Sequence, residues 1–214
     1  MISGQPWFSW TPVHTMAGPT TSATYYSDVR VPASALVGEE NRGWPLITNQ
    51  LNHERVALTS SAPIRLALRE VCDWAAATKL ASGERVIDQE WVRLNLARVH
   101  AKAEFLKLIN WRIAAEADGG RGEGERERKP GLGPATASAT KVFGTEFAIE
   151  AYRLLMEVLG ANAYVREGSA GALLSGRVER MHRAALILTF GGGTNEVQRD
   201  IIAAAGLGLP YARR

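Results

Sequence analysis

Ile187-Leu188-Thr189-Phe190-Gly191-Gly192-Gly193-Thr194-Asn195-Glu196-Val197-Gln198-Arg199-Asp200-Ile201-Ile202 is the stretch on which the fold turns. A helical apolar pattern runs into three glycines, a Thr-Asn pair suited to capping follows, and a second helical pattern begins. Consecutive glycines let the backbone take φ > 0 and approach a ligand closely. The new helix offers free N–H groups and a positive dipole end, a seat for a cofactor's phosphate or ribose. A plain loop between two helices is the competing reading of the same residues.

Outward from that stretch the chain is helical for most of its length. A first helix is expected over about 45–80, kinked or interrupted by Pro63. A turn at Ser82-Gly83 leads to Asp88, a candidate N-cap for a helix running to about Asp118. Its core face is expected to hold Trp91, Leu94, Ala101, Phe105 and Leu108. Gly119 to Gly133 reads as a Gly-, Arg- and Glu-rich connection. A third helix over about 135–159 carries a stripe of Val142, Thr145, Ile149, Tyr152, Met156 and Leu159, expected to be core. A fourth covers about 174–190, and a short fifth follows Thr194. Residues 1–44 differ: Pro, Gly, Thr, Ser and aromatics dominate, and Ala23 to Val31 suits extended structure. The fold class is therefore mainly α, an antiparallel four-helix-type bundle preceded by a short β-rich segment.

The 214 residues, 46% hydrophobic and 22% charged, suit a globular protein with a substantial core. No apolar run is long enough for a transmembrane helix, and the first residues lack the pattern of a signal peptide. The single cysteine, Cys72, reads as a small apolar group on a helix and fits a cytoplasmic setting. The net charge of +3 is modest, and the arginines and glutamates of Arg121 to Arg128 are mixed. No basic cluster is interleaved with aromatics, so nucleic-acid binding is not expected. His53 and His100 lack partners at metal-ligand spacing, and no metal is expected.

Four segments, in order, resemble the acyl-CoA dehydrogenase family. Asp28-Val29-Arg30-Val31-Pro32-Ala33 with Val37 to Trp44 resembles the exit from its middle β-domain. Asn52-His53-Glu54-Arg55-Val56-Ala57 is similar to the start of its C-terminal bundle. Glu157-Val158-Leu159-Gly160-Ala161-Asn162-Ala163-Tyr164 resembles its flavin-contacting loop, and Gly193 to Arg199 its late Gly-Thr-x-(Gln/Glu)-x-Gln-Arg segment. The resemblance implies that residues 1–44 are the remnant of the middle β-domain and 45–214 the helical bundle domain. The family's preceding domains are then expected outside this chain, through truncation or on another polypeptide.

The resemblance also implies α,β-dehydrogenation of an acyl-CoA thioester, with FAD as cofactor and electron-transfer flavoprotein as electron acceptor. A carboxylate base removes the α-proton, and hydrogen bonds to the thioester carbonyl stabilise enolate character. Many members place that base immediately before the late Gly-Thr, where this chain has Gly192, which cannot accept a proton. A subset places a glutamate on the first bundle helix, directly before an arginine. Glu54 stands there and is the candidate catalytic residue; the apolar Val56, Ala57 and Leu58 are compatible with a partly buried base, and a solvent-facing helix glutamate is the competing reading. Flavin contacts are carried over to Glu157, Gly160, Thr194 and Glu196. Glu157 replaces the usual Gln, Ala161 and Ala163 replace glycines, and a carboxylate beside a diphosphate would repel it. The family's Arg-Lys-x-Phe-Gly segment is missing, with Ser82 to Asp88 in its place. A homo- or hetero-oligomer with another acyl-CoA dehydrogenase subunit is expected. A non-catalytic helical partner and a related flavin oxidase or monooxygenase are the alternatives.

Overall fold

The computed structural model describes residues 6–18, 20–119 and 133–210. Two strands, β1 (Phe8–His14) and β2 (Thr20–Tyr26), form an antiparallel hairpin with Phe8 opposite Tyr26 and His14 opposite Thr20. The extended run expected to reach Val31 stops at Tyr26. Asp28 sits at φ +51, a left-handed conformation that ends the strand. Both strands are almost wholly exposed. A lone hairpin is marginal, and this one is tied to the helices through Arg183. That guanidinium donates to Met16 O at the hairpin turn and to the buried Glu179 carboxylate.

Six α-helices follow among the described residues: α1 (Gly43–Ala57), α2 (Ala62–Ala77), α3 (Glu90–Gly119), α4 (Pro134–Leu159), α5 (Arg177–Ala185) and α6 (Asn195–Ile201). Of the two outcomes expected at Pro63, a kink or an interruption, the structure has the interruption: the stretch over 45–80 is two helices, and Pro63 stands in the first turn of α2. There its missing N–H costs nothing and its fixed φ suits the helix start. Asp88 is not an N-cap. It closes a short 3-10 turn, Val86–Asp88, and accepts a forked pair of bonds from Arg85 at 2.9 and 2.7 Å.

α4 is the central helix, packed against all five others. Ala137, Ser138, Gly144, Ala148 and Ala151 are small and buried, which lets neighbouring backbones come close. From the stripe expected on α4, Thr145, Tyr152, Met156 and Leu159 are buried, with Val142 and Ile149 half-buried beside them. α2 contributes Ile64, Ala67, Leu68, Val71 and Ala75 at three- and four-residue steps. A fully buried side chain such as Leu106 or Leu155 carries about 2–5 kcal/mol against truncation to Ala.

The core face expected on α3 is the exposed one. Trp91, Leu94, Ala101, Phe105 and Leu108 face outward, while Val92, Leu96, Val99, Ala103 and Leu106 are buried. α3 is apolar on two faces, and amphipathic spacing alone does not say which one its own chain covers. The connection expected over 119–133 lies, between residues 120 and 132, outside the described residues. No helix among the described residues is long and apolar enough to cross a membrane.

Candidate functional site

Asn52, His53, Glu54 and Arg55 occupy the last two turns of α1. Arg55 is buried and points inward, donating from Nη1 to Asn52 Oδ1 at 3.0 Å and from Nε to Gly192 O at 3.4 Å. Burial lowers the Arg55 pKa, and the neighbouring Glu54 carboxylate opposes that. Glu54 itself is exposed, the solvent-facing of its two readings, and not partly buried. A Cβ placed on Gly192 would lie 4.0 Å from Glu54 Oε1 and 3.3 Å from Leu58 Cδ1. The late-loop position and the α1 carboxylate thus converge on one locus, although 137 residues separate Arg55 from Gly192 along the chain.

The glycine loop is fixed from beneath. Gly192 and Gly193 have φ +70 and +97. A side chain at Gly193 would meet Gln198 Nε2 at 2.7 Å. Lys141, fully buried in α4, donates from Nζ to Thr189 O at 2.9 Å, Gly193 O at 2.8 Å and Asn195 Oδ1 at 2.7 Å. All three ammonium protons are therefore used, which offsets much of the cost of burying the charge. Burial still lowers the Lys141 pKa; Glu196 opposes the shift, Arg55 adds to it and Glu146 opposes it. Gln198, also fully buried, donates to Gly192 O at 3.2 Å and accepts from Ser138 Oγ at 2.8 Å. Asn195 donates to Thr145 Oγ1 at 3.1 Å and to Glu146 Oε1 at 3.2 Å.

Thr194 caps α6 as the sequence suggests, accepting from Val197 N at 3.3 Å. Glu196 is exposed and held below the usual carboxylate pKa by its own backbone N–H and the Thr194 hydroxyl. The start of α6 therefore already carries a carboxylate. A phosphate would compete with it, whereas sugar hydroxyls could donate to the carboxylate and share the Thr194 oxygen.

Glu157 and Gly160 lie at the far end of α4. From Lys141 to Glu157 the helix rises about 24 Å at 1.5 Å per residue. Glu157 pairs with Arg153 one turn back and accepts from Asn95 Nδ2 at 3.2 Å. Its negative charge is thus balanced locally, which lessens the repulsion expected toward a diphosphate. Gly160 ends α4 at φ +73, ψ −156, and its N–H bonds to Met156 O at 3.1 Å. No atom lies within 4 Å of a Cβ there, so the glycine answers backbone conformation and not space. Arg85 is engaged by Asp88.

The site residues read from sequence fall into two groups. Glu54, Thr194 and Glu196 gather around the glycine loop, and Glu157 with Gly160 forms a separate patch. Lys141, Gln198, Asn195 and Arg55 escaped the sequence reading. Lys141 had a signal: it falls four residues before Thr145, on the face that also bears Ala148 and Tyr152. A lysine on an apolar stripe demands buried acceptors. Among the described residues, no three His, Cys, Asp or Glu side chains gather as a metal site would require.

The profile described as acyl-CoA dehydrogenase, C-terminal domain, matches residues 41–207. Acyl-CoA dehydrogenase FadE26 of Mycobacterium tuberculosis is 70% identical over 207 residues, covering 97% of this chain and 50% of the relative. Among solved structures, the ChsE4-ChsE5 complex from Mycobacterium tuberculosis aligns with TM-score 0.85 at 69% identity, over 97% of this chain and 50% of the other. A Tcur3481-Tcur3483 steroid acyl-CoA dehydrogenase variant aligns with TM-score 0.83 at 43% identity, with the same coverage. The chain spans about half the length of the curated relatives it matches.

Proposed function

The chain belongs to the acyl-CoA dehydrogenase family, and from that premise we propose that it supplies the base-bearing half of a flavin-dependent dehydrogenase. The reaction is removal of an α-proton and a β-hydrogen from a CoA thioester to give the α,β-unsaturated product. One observation carries the reading: the Glu54 carboxylate lies beside Gly192, so the base missing from the loop is replaced at the same locus from α1.

Glu54 accepts the α-proton on a carboxylate oxygen. Arg55, buried beneath it, holds Gly192 O and keeps the loop against α1. FAD, when bound, supplies the acceptor for the β-hydrogen and its electron pair. Thr194 and Glu196 fit the hydroxyl groups of that cofactor. Glu157 and Gly160 form a second contact, at the opposite end of α4. Two patches so far apart suit a cofactor shared between subunits. Glu54 is exposed here, and the desolvation that strengthens a carboxylate base would come with the covering partner. A hetero-oligomer with another acyl-CoA dehydrogenase subunit fits both features and the ChsE4-ChsE5 likeness. A bulky, steroid-bearing acyl-CoA is the substrate class we assign, supported by the steroid dehydrogenase among its structural relatives. Electron-transfer flavoprotein is the proposed electron acceptor.

Glu54→Gln in the flavin-loaded complex tests this. The amide keeps shape and a hydrogen-bond acceptor but cannot take the proton, so turnover should fall about 10²–10⁴-fold. Flavin content and thermal midpoint should stay unchanged. Normal turnover in that variant would leave the non-catalytic partner as the better reading.

A further inference from the structure

Gly144 lies on α4, three residues after Lys141, and touches neither the glycine loop nor Glu54. A Cβ placed there would meet Thr59 Cβ at 2.5 Å, Thr59 Cγ2 at 2.7 Å and Leu106 Cδ1 at 3.4 Å. Thr59 belongs to the break between α1 and α2. Its Cβ cannot swing aside as the tip of a long side chain could, so the backbone bearing it would have to move. Ordinary carbon contacts begin near 3.5 Å, so the displacement is about 1 Å.

Thr59 is not free to move alone. Its carbonyl accepts from Asn110 Nδ2 of α3 at 2.9 Å. Its N–H and Oγ1 both donate to Val56 O of α1, at 3.1 and 2.8 Å. The next residue back, Leu58, donates its N–H to Glu54 O at 3.0 Å. Thr59 is 3% exposed, and these bonds hold it in the interior. A push at Thr59 is therefore carried along bonded groups to the turn that holds Glu54, while the loop bearing Gly192 stays anchored to α4 through Lys141.

We infer that Gly144 is a positioning residue for the dehydrogenation: its missing side chain seats the α1–α2 junction on α4 and so sets Glu54 against the Gly192 loop. This rests on the reading of Glu54 as the base.

Gly144→Ala, made in the assembled flavin-loaded complex, is the test. A misplacement of about 1 Å can cost about 10²-fold in rate. Flavin reduction in a single turnover should slow by about that factor, with flavin content retained and KM little changed. The primary isotope effect on the α C–H bond should rise, a change that loose packing elsewhere would not produce. Thr59→Gly removes the two closest of the three atoms that the new methyl meets and leaves only Leu106 Cδ1 at 3.4 Å, so Gly144→Ala/Thr59→Gly should regain most of the lost rate. A Gly144→Ala complex that reduces flavin within twofold of wild type with an unchanged isotope effect overturns the inference, given that Glu54→Gln is inactive. If Glu54→Gln stays active, the base assignment fails and this inference falls with it. Should Gly144→Ala not assemble, the double variant decides. Restored assembly and turnover support the seat, and failure of either overturns it.

Discussion

The two ends of α4 are built on different principles. Toward its start, Ser138, Lys141 and Thr145 are buried polar residues, each bonded to Asn195 or Gln198 of the late segment. Toward its end, Leu155, Val158 and Leu159 form plain apolar core, and the charged Glu157 sits at the surface with Arg153. Directional bonds inside a low-dielectric interior admit one arrangement. Apolar packing tolerates small rearrangements at modest cost. The end that holds the glycine loop beside Glu54, the proposed base, is the end that uses directional bonds. The end assigned to a flavin contact leaves its groups exposed, open to be completed by another subunit.

Lys141→Met should break this contrast most severely. It removes the one donor shared by Thr189 O, Gly193 O and the buried Asn195 Oδ1 and leaves the loop without that tie to α4. A loss of about 3–5 kcal/mol is expected, read from chemical denaturation. A loss under about 1 kcal/mol would mean that the loop is held by packing instead. Gly193→Ala comes next. The residue would have to adopt φ +97 and displace Gln198 Nε2, at a cost of about 1–3 kcal/mol. Gln198 would also lose its place against Gly192 O, so turnover should fall together with stability.

Glu157→Gln, at the other end, should shift stability by less than about 1 kcal/mol, since Arg153 is a surface partner and the amide keeps an oxygen that can accept from the buried Asn95. Flavin retention by the complex should improve or hold, because a carboxylate is removed near a proposed diphosphate contact; loss of flavin would place Glu157 in a different role. The smallest effect concerns Glu196. Its carboxyl pKa is lowered in the folded chain, so its stabilisation is present above the ordinary value of 4.5 and is lost as pH falls through the lowered value. The thermal midpoint of wild type should therefore drop slightly more than that of Glu196→Gln on acidification below 4.5. Parallel pH curves would show that the cap contributes nothing.

The sequence by itself determined the helical fold class, the α4 stripe, the Thr194 cap and the glycine conformations at 192 and 193. Each follows from periodicity or from local backbone chemistry confined to a few neighbouring residues. Family resemblance, not local chemistry, marked Glu54 as a candidate, through the pairing of an α1 glutamate with a glycine in the late loop. Tertiary structure decided what depends on which surfaces meet. It turned the expected core face of α3 outward, because a helix apolar on two sides gives no local sign of which side its own chain covers. It set the place of the interruption that Pro63 marked in the first helix, at Leu58 to Ser61, where Thr59 rests on Gly144. It buried Lys141 beneath the loop, since an ammonium finds three acceptors inside only after segments 48–54 residues distant have folded over it. It also left Glu54 exposed, because burial depends on what packs over a residue and not on the apolar neighbours that follow it in sequence.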